Sequence, residues 1–479
     1  MKKVLALILA LALTVVCFAG CGKKQTGSNG DVPTLIWYVP GDSQPDTPMV
    51  MEAANKIIEK EIGAKIDLKF ISAGDFDEKM RLKMASGDDF DLCFTGYTNN
   101  FRKAAQMGGL EPLDELLKST PDLVASMDQS FWDAATYEGV IYGVPNQQII
   151  GVYYAPVIPK RLAEKYNLDV DSIKEYKDLE PFMEAVKNGE DGVFPWRNKN
   201  AYFTVGAKYE EFTLGIGFDR SQKNPKVVFI DEEQAFIDGM NLRNEWYNKG
   251  YIRQDVLSNT DDTTDYYAGK YAMNITTYKP GVEVNEAANI GEPVVVCKNI
   301  DTPYIKQSAV TSTLIGIGRN CKNKEKAIKF IELINTNKEL YNLICFGIEG
   351  VHYDMTEDGF VKAKSDSKYK PEADWKFGNQ FNALVREGAA ADVWEQTKAQ
   401  NDAAEVSPLL GFNVDRTNIE SELSSLSTVR SQYGKAYFCG AKKVDKDYDA
   451  YIKRMYDAGL QTVIDEIQRQ VDEFLASKK

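Results

Sequence analysis

Short apolar runs alternate with amphipathic helical patterns through the first hundred residues of this 479-residue chain, and this alternation restricts its possible folds more than any other feature. The runs at 34–39, 65–71 and 90–95 are rich in β-branched and aromatic residues, which is typical of strands. The segments 49–63 and 75–87 between them carry apolar residues at helical spacing. This order predicts an α/β fold, with helices on both faces of a parallel sheet.

The same alternation continues along the rest of the chain. Long helices are predicted at 232–250 and 323–347, and a C-terminal helix is predicted at 447–477. The C-terminal pattern has an apolar stripe at helical spacing, which favours burial of that face in a core. A chain of this length buries a large core and has room for two or three domains.

The N-terminus has the pattern of a bacterial export leader. Two lysines precede an apolar core at 4–16, which is shorter than the roughly 20 residues that a membrane-spanning helix needs. The small residues before Cys21 resemble a lipobox, which predicts a signal peptide over 1–20 and lipidation of Cys21. The polar, glycine-containing composition of residues 21–32 predicts a flexible tether. Release by an ordinary signal peptidase and retention of the leader as an anchor are the alternatives.

The chain is acidic, with a net charge of −14, which argues against nucleic acid and anionic lipid surfaces as partners. The cysteines after the leader are widely spaced and form no CxxC pair, so neither a disulfide framework nor a zinc site is predicted. A single disulfide among them stays open as an alternative. These cysteines are Cys93, Cys297, Cys321, Cys345 and Cys439.

Catalytic and cofactor motifs are missing from the sequence. His352 is the one histidine, so a Ser-His-Asp triad or an HExxH zinc site would depend on it, and we expect a structural role for it. "GIGFDR" and "GIGRNC" lack the third glycine of a dinucleotide loop, and there is no phosphate-binding GxxxxGK[ST] loop. We therefore predict a non-enzyme without metal or cofactor. Paired carboxylates of the glycosidase type stay open as an alternative, because 71 acidic residues allow many pairs.

Aromatic residues at strand ends and in polar loops are the best candidates for a binding site. Sugar rings stack on flat aromatic side chains, while their hydroxyl groups need polar partners in the same pocket. Ligands of open α/β sheets bind beyond the carboxyl ends of the strands. For any single tryptophan, packing in the core is the competing interpretation. The predicted ligand-binding residues are Trp37, Tyr38, Asp42, Tyr97, Trp196, Arg197, Trp375 and Asn379.

An ordered set of segments resembles one protein family. "EIGAKIDLKFI", "DFDEKMRLKMASGDDFDLCFTGY", "LEPLDELL", "EGVIYGVPNQ", "EWYNKGYIRQD" and "YYAGKYAM" are similar to family 1 extracellular solute-binding proteins of ABC importers, in the family's order. "NKELYNLICFGIEGVHYD", "DWKFGNQFN" and "LLGFNVDRTNIESEL" resemble a lipoprotein subgroup with a distinctive C-terminal domain. The resemblance covers essentially all of the chain after the tether.

The resemblance implies a periplasmic-binding-protein-like fold, in which two discontinuous α/β lobes close around a ligand by a hinge. The expected boundaries are 33–145 plus 268–318 for lobe one and 146–267 plus 319–479 for lobe two. The implied function is capture of a small-molecule solute, most often an oligosaccharide, at the outer face of the cell membrane and its delivery to ABC permease subunits. No cofactor is implied. A secreted carbohydrate-active hydrolase and a sensory or adhesive surface lipoprotein are the alternatives.

Overall fold

The computed structural model describes residues 32–88, 90–197, 208–259, 262–371 and 373–478. The predicted leader, and with it Cys21, lies outside the described residues. In the described part the chain forms two α/β lobes, as the sequence predicts, and crosses between them three times. No helix among the described residues has the length and apolar character needed to cross a membrane.

Lobe one is built on a five-stranded sheet. Its first three strands are parallel, the fourth pairs antiparallel with the third, and the fifth pairs antiparallel with the fourth. In spatial order the strands are Lys65–Ile71, Thr34–Pro40, Leu92–Gly96, Thr313–Ile317 and Val144–Pro145. The helices Thr47–Ile62 and Ala73–Ser86 connect the parallel strands, so the predicted strand–helix alternation is confirmed.

Residues after the fourth strand of this sheet also belong to lobe one. The helices Lys324–Thr336 and Lys338–Phe346 pack their apolar faces into the same core as the sheet. The hairpin of Tyr353–Met355 and Val361–Ala363 contributes to the same core. The predicted assignment of 319–479 to lobe two is therefore wrong for this part of the chain.

The sheet of lobe two is antiparallel. The strand Tyr153–Pro159 lies between Asn274–Tyr278 and Val294–Val296. The predicted assignment of 268–318 to lobe one is wrong for these strands, because they hydrogen-bond to Tyr153–Pro159. The helices Lys160–Lys165, Glu180–Gly189 and Gln234–Lys249 complete this part of the lobe.

The C-terminal domain, residues 408–478, packs on lobe two. Its helices are Glu420–Val429, Lys435–Phe438, Lys446–Asp457 and Leu460–Ser477, with a π-helical turn at Arg430–Gly434. They share a core with a small sheet formed by Tyr209–Thr213, Ile216–Asp219 and Val228–Phe229. Most of the predicted C-terminal stripe packs there, although Tyr456 is exposed, and the helix is interrupted at Gly459, whose φ is 101°.

Three chain segments form the hinge between the lobes. Val152 bridges Tyr304, and the strand Tyr304–Ile305 pairs with Glu405–Val406. The Asn401 side chain accepts hydrogen bonds from the backbone N–H groups of Ile150 and Gly151, both at 2.9 Å. An apolar cluster fills the space beside these strands. This hinge cluster consists of Ala134, Ile150, Ile305, Val310 and Leu410.

The remaining elements are short. In lobe one they are the helices Phe101–Gln106, Asp114–Leu117, Pro121–Ala125 and Gln129–Ala134 and the strands Thr136–Tyr137 and Val140–Ile141. The helix Val393–Asp402 also packs on lobe one, through Trp394, and the other short helices are Asp262–Tyr267, Val282–Ile290 and Gln307–Val310. Single 3-10 turns lie at Val170–Ser172, Tyr176–Leu179, Ile230–Glu232, Lys298–Ile300, Asp374–Lys376 and Gln380–Asn382.

Candidate ligand-binding cleft

Tyr97 projects from the carboxyl end of a central strand of lobe one. Gly96 precedes it, and a Cβ at this position would lie 2.1 Å from the Ser312 carbonyl oxygen, so the close approach of the two strands requires glycine. The Tyr97 N–H donates to the same carbonyl at 2.8 Å. Asn99, with φ 51°, ends the turn, and its side chain donates to the Phe94 carbonyl at 2.9 Å. This turn leaves the Tyr97 side chain 56% exposed.

Trp375 lies against Tyr97 at this edge of the sheet. It belongs to the 3-10 turn Asp374–Lys376, and its carbonyl accepts a hydrogen bond from the Asn146 side chain at 3.1 Å. Its ring is half-buried and contacts Tyr97 and Phe94 at centroid distances of 5.8 and 6.4 Å. The predicted placement of Trp375 in lobe two is wrong, because both of its ring neighbours come from lobe one.

A cavity of about 360 Å³ separates Trp375 from lobe two. Lobe one contributes Trp375, Gln380, Arg386 and Trp394, and lobe two contributes the helix Val282–Ile290 together with the turn before it. Trp394 is half-buried and fixed by a 2.7 Å hydrogen bond from its Nε1 to the Ala383 carbonyl. The cavity thus has two indole rings on one wall and the polar side chains Lys279, Asn285 and Asn289 on the other.

A second cavity, of about 440 Å³, lies on lobe two, next to the first. Asn289 lines both of them, and we call the two together the cleft. The rings of Tyr154 and Tyr267 are 43% and 49% exposed in the second cavity. Thr276 and Thr277 add hydroxyl groups to its wall. Each lobe therefore presents exposed aromatic rings surrounded by hydrogen-bonding groups.

Arg197 forms the base of the second cavity. Its guanidinium group binds both carboxylate oxygens of Asp262, at 3.0 and 3.1 Å, and donates to the Thr263 hydroxyl at 2.8 Å. It lies 4.9 Å from the centroid of the Tyr266 ring. Tyr266 in turn donates its hydroxyl to Glu286 at 2.7 Å, and burial is the main cause that raises the pKa of Tyr266. These contacts hold the buried polar groups of the cavity in fixed positions.

Lys376 is a buried cation beside the aromatic pair. Its Nζ donates to the Pro40 carbonyl at 2.6 Å, at the carboxyl end of the first strand. Burial lowers the pKa of Lys376 to about 8, and the nearby carboxylate of Asp42 acts in the opposite direction. Asp42 itself is exposed, so the structure brings this predicted residue to the same edge of the sheet as Tyr97 and Trp375.

Two predicted tryptophans lie in the protein core. Trp37 has no exposed surface and packs edge-on against Phe330 and Phe377, at 5.3 and 5.7 Å. Trp196 is 1% exposed and packs against Trp246 at 4.9 Å. The prediction that they are ligand platforms is wrong, because neither ring has a face available to a ligand.

Two further predicted residues are engaged elsewhere. Tyr38 is half-buried, and the ammonium group of Lys83 lies 4.9 Å from its ring centroid. The Asn379 side chain caps the turn Gln380–Asn382, where it accepts from the Phe381 N–H at 3.1 Å. Neither of these two residues lines the cleft. Asp42 and Tyr97 do not line it either, and Tyr97 adjoins it through its contact with Trp375.

The residues that the sequence analysis missed include Tyr154, Tyr267 and Trp394. The doublets "YY" at 153–154 and 266–267 could have indicated two of them, because in each pair the buried first tyrosine leaves the second ring exposed to a ligand. Trp394 lies in a charged helix and carried no such signal.

The histidine and the cysteines have structural surroundings. His352 is buried, and its Nδ1 accepts from the Ile348 N–H at 2.8 Å while its Nε2 lies 3.3 Å from Asp46. No disulfide links the five cysteines after the leader. Within the described residues no group of three or more His, Cys, Asp or Glu side chains could hold a metal ion.

Comparison with known proteins gives the family. Residues 43–340 match the family described as bacterial extracellular solute-binding protein. The chain belongs to this family. Residues 408–476 match the domain DUF3502, so the predicted subgroup with a distinctive C-terminal domain is confirmed. Members of the family are solute-binding proteins, and this solute-binding protein is accordingly not an enzyme, as the sequence predicts.

Two relatives extend the similarity over most of the chain. A carbohydrate ABC transporter substrate-binding protein of Streptococcus pneumoniae is 28% identical over 475 residues, which cover 96% of each chain. The polygalacturonan/rhamnogalacturonan-binding protein YtcQ of Bacillus subtilis is 24% identical over 418 residues, with 80% of each chain covered.

Among solved structures, the solute-binding protein resembles the N-glycan transport solute-binding protein NgtS from Streptococcus pneumoniae. The two are 27% identical and superpose with a TM-score of 0.85 over 93% of this chain and 100% of the other. The TM-score is 0.74 for NgtS in complex with Man1GlcNAc and 0.71 for its complex with Man5GlcNAc. The present structure is therefore closer in shape to the NgtS structure described without a glycan than to either complex.

Proposed function

We propose that this solute-binding protein captures an oligosaccharide in the cleft between its lobes and delivers it to the permease of an ABC importer. The observation that carries the proposal is the cavity between Trp375 and Trp394 on one lobe and the Val282–Ile290 helix on the other. It combines flat apolar rings with amide, ammonium and guanidinium donors. This is the pairing of surfaces that a sugar ring requires.

The second cavity supports a ligand longer than one sugar ring. It adds Tyr154 and Tyr267 to the aromatic surface and adjoins the first cavity at Asn289. A chain of sugar units lying along both cavities would meet exposed rings from both lobes. The S. pneumoniae relative is a carbohydrate-binding component of an ABC transporter, and NgtS binds the glycans Man1GlcNAc and Man5GlcNAc, which agrees with this assignment.

Capture by closure of the lobes is part of the proposal. A ligand drives closure only when it binds the closed state more tightly than the open state. Contacts from both walls of the cleft provide such a difference, because both walls meet the ligand together only after closure. The lower TM-scores against the two glycan complexes are in keeping with an open arrangement here.

Anchoring at the outer face of the cell membrane completes the proposal. It rests on the sequence of the leader, in which an apolar core ends in small residues and Cys21. A lipid on Cys21, followed by the polar tether, would keep the lobes near the permease.

The test is calorimetric titration of the purified protein with a panel of defined glycans. The panel contains Man1GlcNAc, Man5GlcNAc, maltotetraose and a trigalacturonate, with glutamate and a tetrapeptide as non-sugar members. We expect one of the glycans to bind with 1:1 stoichiometry and to be recovered unchanged after long incubation. The assignment to oligosaccharides fails if only the non-sugar members bind, and the assignment as a binding protein fails if the glycan is cleaved.

A further inference from the structure

The C-terminal domain is fixed rigidly to lobe two by a buried carboxylate. Asp231 is fully buried and accepts hydrogen bonds from the Tyr451 hydroxyl at 2.7 Å and from Arg430 at 3.2 Å. The Tyr448 hydroxyl donates to the backbone carbonyl of the same residue at 2.7 Å. A buried charge with partners on two helices resists displacement, because separating the partners would leave it unpaired. These hydrogen bonds tie the domain to lobe two.

The same domain also reaches lobe one across the hinge. Leu410 packs in the hinge cluster with Ala134 of lobe one. A Cβ on Gly411, whose φ is 92°, would lie 3.3 Å from the Asp133 carbonyl, so the two backbones approach closely. The Lys478 ammonium group donates to the Leu410 carbonyl at 2.7 Å and holds this loop in place.

A single side chain joins the two sides of this contact. Gln307 is 8% exposed, and its Nε2 donates to the Ala134 carbonyl at 2.6 Å while its Oε1 accepts from the Gly411 N–H at 2.7 Å. It thus connects lobe one directly to the C-terminal domain. None of these residues lines the cleft.

We propose that the C-terminal domain is a brace that favours the open arrangement of the lobes. Gln307 and the Leu410–Gly411 turn hold lobe one at its present position relative to lobe two. Closure of the cleft moves the lobes relative to each other, and the brace contact is lost in that movement. The brace therefore stabilises the open state alone, which shifts the population of the free protein toward it.

The experiment replaces Gln307 by an apolar side chain of similar length. Gln307→Met removes both hydrogen bonds of the brace. The matched control is Gln468→Met. Gln468 also accepts a backbone N–H, from Val227 at 2.7 Å, and donates to the Pro225 carbonyl at 3.3 Å, but these bonds stay between the C-terminal domain and lobe two. Both variants remove hydrogen bonds between the C-terminal region and its surroundings. Only the first removes a bond between lobes.

The brace rests on the lobe closure of the proposed function, but the readout is the distance between the lobes in the full chain without ligand, so it does not depend on which solute is bound. Fluorophores are attached through genetically encoded azido residues at Leu82 and Leu257, which are exposed on lobe one and lobe two. Single-molecule energy transfer then gives the populations of open and closed molecules. We expect Gln307→Met to raise the closed-to-open ratio about fivefold, which corresponds to the net strength of about one hydrogen bond, because of the two bonds only the one from the Gly411 N–H has its partner in the C-terminal domain. Gln468→Met should leave the ratio unchanged.

Two results would contradict the proposal that the C-terminal domain favours the open arrangement. One is a closed-to-open ratio in Gln307→Met equal to that of the wild type, which would make the contact purely structural. The other is a shift of Gln307→Met toward longer distances, which would mean that the contact draws the lobes together. If Gln307→Met does not fold, Leu410→Ala trims the apolar half of the same contact, and the same two results decide.

Discussion

The rings of Tyr97 and Trp375 lie 5.8 Å apart between centroids and are tilted by 60° to each other. Tyr97 follows a strand near the N-terminus, whereas Trp375 follows the helices that the chain adds to lobe one after its second crossing of the hinge. Both rings also contact Phe94, which is fully buried. The pair is therefore a preformed aromatic surface that rests on the core of lobe one.

Removing either ring of this pair should weaken binding of the glycan found by titration. Trp375→Ala and Tyr97→Ala should each cost about 1–3 kcal/mol, because an aromatic surface at a binding site contributes on this scale. Because the two rings touch, the double variant should lose less binding free energy than the sum of the losses in the two single variants. Calorimetry with Tyr433→Ala as the exposed control, distant in sequence from the cleft residues, gives the comparison. Unchanged affinity in both single variants would contradict this placement of the site.

Replacing Trp37 should affect stability. Its ring is fully buried between Phe330 and Phe377, so Trp37→Ala should lower the free energy of unfolding by about 3–5 kcal/mol. Urea unfolding followed by circular dichroism measures this loss. Trp37→Phe keeps most of the buried surface, so it should lower the free energy of unfolding clearly less than Trp37→Ala does. A stable Trp37→Ala variant with weakened glycan binding would restore Trp37 as a binding residue.

Arg197 should not tolerate exchange for lysine. A lysine has no planar pair of donors to bind both oxygens of Asp262, so Arg197→Lys should lower the free energy of unfolding by about 2 kcal/mol. The matched control is Arg161→Lys. Arg161 pairs with Glu292 at the surface, where we expect a change of less than about 0.5 kcal/mol. Equal losses of unfolding free energy at the two positions would show that the paired hydrogen bonds from Arg197 to Asp262 do not matter for stability.

Lys376 should make stability depend on pH in the alkaline range. The folded protein releases this proton near pH 8, whereas the unfolded chain keeps it up to the ordinary lysine pKa of 10.5. The unfolded state then binds more protons between these values, so the contribution of Lys376 to the free energy of unfolding increases with pH, by up to about 3 kcal/mol. Tyrosines and cysteines also titrate in this range. The quantity to measure is therefore the difference between wild type and Lys376→Met at pH 8 and at pH 10, from urea unfolding. A difference that is the same at both pH values would contradict the prediction.

Anchoring should depend on Cys21. Cys21→Ser should abolish incorporation of labelled palmitate and move the protein out of the membrane fraction, as precursor or as released chain. Cys17→Ser is the matched control, because it changes a cysteine of the same leader and should leave labelling intact. Labelling of Cys21→Ser at the wild-type level would exclude Cys21 as the lipid site.

The α/β class and the first strands could be predicted from the sequence because their patterns are local. The error at Trp37 has a local cause as well. The first strand continues to Pro40, so Trp37 lies within it, on the buried face between Leu35 and Val39. The predicted strand, 34–39, already contained Trp37, so the error was to treat a side chain on the buried face of the strand as if it lay beyond the strand end.

The lobe boundaries could not be predicted because they depend on long-range pairing. The strand Asn274–Tyr278 has β-branched and aromatic residues that suit either sheet, and only its pairing with Tyr153–Pro159 places it in lobe two. The helix Lys324–Thr336 likewise carries an apolar face that many sheets could cover. An error in this step also moved Trp375 to the wrong lobe.

Two cores of this protein are built from segments that lie far apart in the sequence, so the order of synthesis affects when they can form. The core of lobe one includes residues as late as Ala383, and the second core of lobe two includes Val471. Neither core is complete until most or nearly all of the chain has been synthesised. We therefore expect these two cores to form late in synthesis, through slow, non-local contacts. Chaperones that hold unfolded polypeptides would have a long time in which to bind the nascent chain.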